Sequence, residues 1–316
     1  MKTPRYWKNR NITSDLLLPL GHLYNCATRL RLKFKPSKKV DIPVICIGNL
    51  TAGGTGKTPV AVSVAALLQQ QGKKPFFVSR GYGGTLKNII VNAQKHTPRQ
   101  CGDEPLLLAR QAPVVVNPDR YAGALTASQN GAELIIMDDG FQNPGLYKDL
   151  SFLVFDGSFG LGNGRCIPAG PLREDLISGL KRADAAIIIG ADRFNLRKKI
   201  DVPCFTASVK PVPLNIKNPH IIAFAGIGRP SKFYRSLRET GFNLLKTFDF
   251  PDHHYYTEKE LFELIGEAEK LGADIYTTSK DFVKIPSELQ NHFKVLEIAI
   301  CWDEPQALAD FILKRI

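Results

Sequence analysis

A glycine-rich segment at residues 48–59 has the composition and setting of a phosphate-binding loop. It reads Gly-Asn-Leu-Thr-Ala-Gly-Gly-Thr-Gly-Lys-Thr-Pro and lies between a short apolar run and a stretch with helical spacing. Glycines let a backbone turn tightly and aim N–H groups at phosphate oxygens, and a helix N-terminus adds partial positive charge. In this interpretation Lys57 reaches the β- and γ-phosphates of a nucleotide, and the Thr58 hydroxyl binds Mg²⁺. The predicted nucleotide-binding residues are Thr51, Ala52, Gly53, Gly54, Thr55, Gly56, Lys57 and Thr58.

This segment departs from the general GxxxxGK[ST] pattern at its first position, which is Thr51. Gly53, Gly54 and Gly56 supply the backbone flexibility instead. The alternative interpretation is a glycine-rich turn followed by a chance Lys-Thr pair. The position of the segment between a strand and a helix favours the phosphate-binding loop.

An apolar run that ends in two carboxylates provides the second part of a nucleotide site. Residues 134–139 read Leu-Ile-Ile-Met-Asp-Asp, the pattern of a buried strand followed by Walker B acids. The carboxyl ends of parallel strands converge on the ligand crevice of an α/β sheet, which places Asp138 and Asp139 near Thr58. We therefore predict these three residues as the Mg²⁺ site. The alternative is a solvated Asp-Asp-Gly turn, which is less favoured beside a phosphate-binding loop.

Apolar runs alternate with helical stretches around these motifs. Strands are predicted at 44–47, 76–78, 114–116, 134–137, 152–155, 185–189 and 205–209. Helices are predicted at 59–71, 105–112 and 119–130. Continuous apolar strands separated by helices indicate a parallel sheet covered on both faces. The predicted fold is α/β: a P-loop NTPase-like, mostly parallel sheet flanked by helices, with a second, smaller α/β domain and an N-terminal membrane-interacting helix.

Three prolines at positions 211, 213 and 219 indicate a linker to the second domain. Beyond them we predict a strand at 221–224, a helix at 257–271 capped by Thr257 and Glu260, strands at 275–278 and 295–298, and a last helix from Pro305. The predicted domains are a basic arm at 1–39, a P-loop core at 40–210 and a smaller α/β domain at 211–316.

The net charge of +12 is concentrated at the N-terminus. Residues 1–39 contain ten of the 42 lysines and arginines and one acid, Asp15, so the remaining chain is close to neutral. Leucines between residues 16 and 23 precede the basic stretch, and an apolar helical face beside cations is typical of an interfacial membrane anchor. The alternatives are a helix packed on the protein's own core and an arm that binds nucleic acid.

Several classes of protein are disfavoured by the sequence. The six cysteines form no CxxC pair and no cluster with histidine, which indicates reduced thiols of a cytosolic protein rather than a disulfide framework or a zinc site. No apolar run reaches the length that spans a bilayer, and the N-terminus lacks the pattern of a signal peptide. A small GTPase would need an Asn-Lys-x-Asp guanine reader, and residues 279–281 have the wrong spacing for one.

The order of short motifs along the chain resembles the tetraacyldisaccharide 4′-kinase (lipid A 4′-kinase) family over essentially its whole length. The matching segments include the loop at 51–59, Ser-Arg-Gly-Tyr-Gly at 79–83, Gly-Asp-Glu-Pro at 102–105, Asn-Pro-Asp-Arg at 117–120, Asp-Asp-Gly-Phe-Gln at 138–142, Pro-Ala-Gly-Pro-Leu-Arg-Glu at 168–174, Phe-Ala-Gly-Ile-Gly at 224–228 and Asp-His-His at 252–254. This many motifs in the right order is a specific signal.

The resemblance implies a reaction and two catalytic residues. The γ-phosphate of ATP passes to the 4′-hydroxyl of an acylated glucosamine disaccharide 1-phosphate, which makes lipid IVA. The family's catalytic carboxylate maps onto Asp103 and its partner onto His253, which join Lys57 as the predicted catalytic residues. Without the resemblance, Asp103 would be interpreted as a helix N-cap and His253 as a loop histidine. The implied partners are this lipid and an anionic membrane at the cytoplasmic face of the inner membrane, with no nucleic acid and a monomeric enzyme.

Arg80, Arg120 and Arg173 are predicted to bind acceptor or nucleotide phosphates, because guanidinium suits phosphate geometry. Their alternative is an ordinary surface ion pair.

Two positions depart from the family pattern. Asn143 stands where the family commonly has histidine; it can hydrogen-bond but cannot carry a proton at neutral pH. Ser279 stands where glutamate is common. Two rival functions remain at this point: a P-loop ATPase that acts on a membrane-associated partner, and a nucleotide-gated protein whose arm binds nucleic acid.

Overall fold

A computed structural model describes residues 4–316 and contains two β-sheets. The first three residues of the predicted arm lie outside the described part. The strands are β1 (Val44–Gly48), β2 (Pro75–Ser79), β3 (Ile89–Ile90), β4 (Val114–Val116), β5 (Leu134–Asp138), β6 (Leu150–Asp156), β7 (Ala185–Ile189), β8 (Cys204–Pro211), β9 (His220–Ala225), β10 (Asn243–Asp249), β11 (Asp274–Thr277), β12 (Phe293–Val295) and β13 (Ile298–Trp302). The helices are α1 (Ile12–Leu16), α2 (Leu18–Phe34), α3 (Lys57–Gln70), α4 (Pro98–Cys101), α5 (Asp103–Leu108), α6 (Arg120–Gln129), α7 (Leu176–Leu180), α8 (Pro230–Glu239), α9 (Glu258–Leu271), α10 (Ser279–Phe282) and α11 (Pro305–Leu313).

The larger sheet has the strand order β13-β8-β7-β6-β1-β5-β2-β4-β3. Its seven central strands pair in parallel, and β13 and β3 pair antiparallel at the two edges. The phosphate-loop strand β1 lies between β6 and β5, so Asp138 at the end of β5 pairs in register with Ile47 of β1. The sheet with its packed helices is called the large unit below.

Both faces of the large sheet are covered, which explains why its strands are apolar without alternation. Ile45 and Ile47 of β1 face one core cluster, together with residues of α3 and α11. Val44 and Cys46 point to the opposite face and pack in a second cluster that includes residues of α6. Each fully buried Leu, Ile or Val side chain stabilises the fold by about 1.5–3 kcal/mol.

The smaller sheet has the order β10-β9-β11-β12, and all its strands are parallel. Helix α9 covers one face through Leu261 and Leu264, and α8 covers the other through Phe233 and Leu237. The capping box at Thr257 is present, with its side chain accepting from the Glu260 N–H. This sheet with α8, α9 and α10 is called the small unit below. Helix α8 and strand β10 were not predicted from the sequence.

The segment after β12 returns to the large unit. The predicted strand at 295–298 is wrong, because β12 ends at Val295 in the small sheet and β13 begins at Ile298 in the large one. Trp302 of β13 donates from Nε1 to Ser63 Oγ of α3 at 2.8 Å, and α11 packs in the large core. Residues 298–316 therefore do not lie in the small sheet, and the predicted domain boundaries remain a prediction.

The N-terminal helices present their apolar residues to solvent. The small or polar residues Ser14, Gly21 and Thr28 are buried, and a Cβ on Gly21 would lie 2.9 Å from the Cys166 carbonyl oxygen. The exposed residues share the opposite face: Ile12, Leu16, Leu20, Leu23, Leu30 and Phe34. Within residues 4–316, no helix is both long enough and apolar enough to cross a membrane.

Candidate active site

The phosphate loop connects β1 to α3 and is shaped by its own polar side chains. The Asn49 amide donates to the carbonyl of the buried Thr51 at 2.7 Å and to Oγ1 of the buried Thr55 at 3.0 Å, so it ties the two ends of the loop together. Gly56 has φ +87° immediately before Lys57, the first residue of α3. A Cβ added at Gly53 or Gly54 would meet no atom within 4 Å, so one side of the loop is open.

Thr58 and Asp138 form the part of the predicted Mg²⁺ site that suits a cation. Thr58 Oγ1 donates to Asp138 Oδ2 at 2.8 Å, and Asp138 Oδ1 is buried without a partner. Burial, with a smaller contribution from the charge of Glu104, raises the pKa of Asp138 to about 7. Among residues 4–316 no three His, Cys, Asp or Glu side chains cluster as a metal cage. A hydroxyl and one unpartnered carboxylate oxygen fit Mg²⁺, which takes its other ligands from water and phosphates.

Asp139 has a different environment from its neighbour. Its φ is +55°, and its two oxygens accept from Arg173 at 2.8 and 3.3 Å. Lys57 Nζ lies 3.6 Å from Asp139 Oδ1. Burial raises the pKa of Asp139, but Lys57 and Arg173 outweigh burial and leave the pKa below its ordinary value. Asp139 therefore pairs with two cations at the loop, and its role as a metal ligand stays a prediction.

Asp103 and His253 come together from the two units. Asp103 opens α5 in the large unit, and its buried carboxylate lies 2.9 Å from His253 Nδ1. Gly102 precedes it with φ +93°, and a Cβ there would lie 2.7 Å from the Tyr82 carbonyl oxygen, so only glycine fits this turn. Burial raises the pKa of Asp103, but the His253 hydrogen bond and the Lys280 charge outweigh it and lower the pKa. Asp103 is therefore an ionised carboxylate at neutral pH.

Known proteins are similar in sequence to nearly the whole of this chain. The family profile described as tetraacyldisaccharide-1-P 4′-kinase matches residues 13–316. The tetraacyldisaccharide 4′-kinase of Paramagnetospirillum magneticum is 45% identical over 314 residues, covering 98% of this chain and 97% of that protein. The chain belongs to the tetraacyldisaccharide-1-P 4′-kinase family. A second relative of the same name, from Rhodospirillum rubrum, is 44% identical over 100% of this chain and 98% of its own length.

A solved structure agrees with this assignment. The crystal structure of LpxK from Aquifex aeolicus in complex with ATP superposes with a TM-score of 0.78 at 29% identity, over 96% of this chain and 99% of that one. The predicted family, the α/β P-loop fold class and the class of ATP-dependent kinase are confirmed.

The three arginines predicted to bind phosphates occupy different environments in this kinase. Arg173 is paired with Asp139, as described above. Arg120 is buried, donates to the Asn117 carbonyl at 2.8 Å and has a buried Nε without a partner. Burial and the charge of Arg80 lower the pKa of Arg120 to about 10. Arg80 is exposed. Arg80 is therefore near enough to Arg120 for its charge to affect the Arg120 pKa, whereas Arg173 lies at the phosphate loop beside Asp139.

A basic groove lies between α2 and the segment that follows Arg173. Its volume is about 680 Å³, and Arg29 and Lys33 line its helical side. Lys181 and Arg182 line the opposite side, where Arg182 also pairs with the buried Glu174. The Gln142 amide joins this wall to the phosphate loop by donating to the Asn49 carbonyl at 2.9 Å and to Glu174 at 3.0 Å.

Sequence reasoning missed two groups of charged residues between the units. Asp156, at the end of β6, accepts from Arg229 at 2.6 Å and from Lys232 at 2.5 Å. Lys280 reaches the Asp103–His253 pair from the small unit. Arg229 directly follows the Phe-Ala-Gly-Ile-Gly motif at 224–228, and Lys280 lies in the Thr-Thr-Ser-Lys-Asp segment at 277–281. Their places beside or within these motifs could have identified both residues from the sequence.

Proposed function

We propose that this kinase transfers the γ-phosphate of ATP to the 4′-hydroxyl of tetraacyldisaccharide 1-phosphate, with Asp103 as the general base. The observation that carries the proposal is the buried carboxylate of Asp103, which lies 2.9 Å from His253 Nδ1. A sugar hydroxyl is a weak nucleophile, and a positioned carboxylate can accept its proton as attack proceeds.

The transfer is an in-line displacement at the γ-phosphorus. The 4′-oxygen forms the new P–O bond, the bond to the β-phosphate oxygen breaks, and ADP leaves. The hydroxyl proton moves to an oxygen of Asp103. His253 keeps the carboxylate oriented through Nδ1, 2.9 Å from Oδ2.

The phosphate loop supplies the positive field for this step. Lys57 and the N–H groups at the start of α3 face the phosphates, and Asp139 with Arg173 positions the Lys57 ammonium. Mg²⁺, when bound, neutralises charge on the β- and γ-phosphate oxygens. Thr58 and Asp138 would hold it, since Asp138 keeps an unpartnered oxygen.

The acceptor is a lipid, and the N-terminal helices support reaching it at a membrane surface. Their exposed apolar face would enter the acyl boundary, while Arg29 and Lys33 meet anionic head groups. We place the enzyme as a monomer at the cytoplasmic face of the inner membrane, where ATP is available. Nucleic acid has no part in this proposal.

Labelled ATP, Mg²⁺ and the acyl disaccharide monophosphate test the proposal directly. Labelled phosphate is expected in the lipid fraction with the wild-type enzyme and should be absent with Lys57→Ala. Lys246→Ala is the control and should match the wild type, because Lys246 pairs with Glu267 away from the site. ATP hydrolysis without a labelled lipid would support the ATPase alternative. Salt-sensitive binding of DNA or RNA through residues 29–39 would support the nucleic-acid alternative.

A further inference from the structure

Lys280 lies at the centre of the contact between the two units. Its Nζ is 3.2 Å from Glu104 Oε1 and 3.2 Å from His253 Nε2. Asp252 Oδ1 lies at 3.8 Å and Asp103 Oδ2 at 3.9 Å. The side chain is only 20% exposed. Burial lowers the pKa of Lys280, but the three carboxylates outweigh burial and raise it, so the group is an ammonium.

An ammonium ion has three donors and no acceptor. The nitrogen it contacts on His253 must therefore accept, which requires an unprotonated Nε2. A neutral imidazole carries one proton, and that proton must then be on Nδ1, the nitrogen that faces Asp103. The Lys280 contact at Nε2 and the Asp103 contact at Nδ1 therefore require the same protonation state of the ring.

We propose that Lys280 is a positioning residue for phosphoryl transfer: its ammonium donates to the His253 Nε2 lone pair and keeps that nitrogen unprotonated, so that the ring meets Asp103 as a neutral Nδ1–H donor. This proposal rests on the proposed function of Asp103. The hydrogen bond to Asp103 raises the pKa of His253 above its ordinary value, and the Lys280 charge opposes that rise. Protonation of Nε2 would place a cation beside Asp103 and lower the basicity of the carboxylate. Lys280 also forms an ion pair with Glu104 of α5, so the same cation connects the small unit to the large unit.

A buried network fixes the short helix that carries Lys280. Asp281 is fully buried and accepts from the Gly226 N–H at 3.0 Å and from Tyr256 Oη at 2.9 Å. Lys284 Nζ donates to it at 2.7 Å. Because the residue next to Lys280 is anchored in this way, the Lys280 side chain has a defined direction toward Glu104 and His253.

Three variants separate the positioning role from a general structural one. Lys280→Met keeps the length of the side chain and removes its donors, Lys280→Arg keeps donors, and Lys246→Met is the control from an exposed ion pair. Lys280→Met is expected to lower kcat roughly 10–100-fold, the usual effect of losing a residue that orients a catalytic ligand. Its KM for ATP should change less than about threefold, and Lys246→Met should match the wild type.

A double-mutant cycle tests whether Lys280 acts through His253. In a His253→Ala background, Lys280→Met is expected to cost less than about twofold more activity, because the ring it positions is absent. Fully additive losses would overturn the proposal.

The tautomer itself is measurable without turnover. With ¹⁵N-labelled histidine, the His253 signals, assigned by their loss in His253→Gln, are expected to show a protonated Nδ1 and an unprotonated Nε2. Lys280→Met should give a higher His253 pKa and a larger share of doubly protonated ring at neutral pH, since Asp103, Glu104 and Asp252 would face the ring without the opposing cation. Lys280→Arg should retain the wild-type signals. A wild-type ring protonated on Nε2, or spectra unchanged in Lys280→Met, would overturn the proposal. If the tautomer result holds but no phosphate enters lipid, only the proposed function fails.

Discussion

Asp138 and Asp139 are adjacent in the chain, yet their side chains have different partners at the phosphate loop. The pattern of an apolar strand followed by two acids predicts that both lie beside Thr58, because β5 is parallel to β1. The sequence pattern cannot assign their roles. The direction of the Asp139 carboxylate depends on its φ of +55° and on the contact with Arg173, which lies 34 residues later in the chain. Those features are set by contacts distant in sequence.

The two acids are expected to respond differently to substitution. Asp138→Asn should raise the Mg²⁺ concentration for half-maximal activity roughly tenfold or more, because it removes the unpartnered carboxylate. Asp139→Asn should instead raise the KM for ATP with little change in the Mg²⁺ requirement, because it releases Lys57 and Arg173. Mg²⁺ titrations of activity at fixed ATP distinguish them. Equal shifts in the Mg²⁺ requirement would contradict this assignment.

Asp103→Asn is expected to lower kcat by about 10²–10⁴-fold, the range for loss of a general base. The Kd for ATP should stay within about twofold, because the phosphate loop is separate from α5. Nucleotide titration and steady-state turnover give the two quantities. A parallel loss of binding and turnover would remove Asp103 from the base role; Glu133→Gln, at an exposed position, is the control.

At the scale of elements, α2 has the reverse of the usual helix pattern. A helix on a globular protein normally buries its leucines, and here the buried stripe is small and polar while the leucines are exposed. The sequence predicts an apolar helical face but not which way it points. That direction depends on the close approach of Gly21 to Cys166 and on the Asn25 amide, which donates to Asp175 at 2.9 Å.

Replacing Leu20 and Leu23 together by serine is expected to reduce binding to anionic vesicles at least tenfold. Each leucine that enters the acyl boundary contributes about 1.5–3 kcal/mol, and neither supports the protein's own core. Flotation with liposomes measures the bound fraction, and Leu125→Ser on α6 is the matched exposed control. Undiminished flotation of the double variant would show that this face is not the membrane contact.

At the scale of the whole molecule, charged pairs connect two sheets that have separate cores. The linker prolines and the second βα series predict the small unit, and the seven strands predicted for the large sheet each end within two residues of their predicted bounds. The return of β13 and α11 is not predictable from local pattern. It depends on pairing with β8, some ninety residues earlier in the chain, and the apolar residues of β13 suit either sheet.

The Asp156 cluster is expected to stabilise the contact between the units in a pH-dependent manner. Burial raises the pKa of Asp156, but Lys232, Ser158 and Arg229 outweigh it and lower the pKa. Its stabilising contribution is therefore complete above the ordinary pKa of an aspartate, about 4, and is lost as pH falls through the lower folded-state value.

Asp156→Asn should accordingly lower the free energy of unfolding by about 1–3 kcal/mol at pH 7, the range for hydrogen bonds to charged groups. The difference from wild type should shrink below pH 4. Urea unfolding at several pH values measures it, with Asp274→Asn, from an exposed pair with Lys294, as the control. A difference that grows on acidification would contradict the assigned sign.

The return of the chain after β12 has a mechanical consequence. The small unit is covalently attached at both of its ends, and the two attachments run side by side: the Val212 N–H donates to the Glu297 carbonyl at 2.9 Å. Sliding or swivelling of the small unit would pull these paired attachments apart, whereas rotation about the line between them would not. We therefore expect any movement of the small unit to carry His253 and Lys280 together along one arc relative to Asp103.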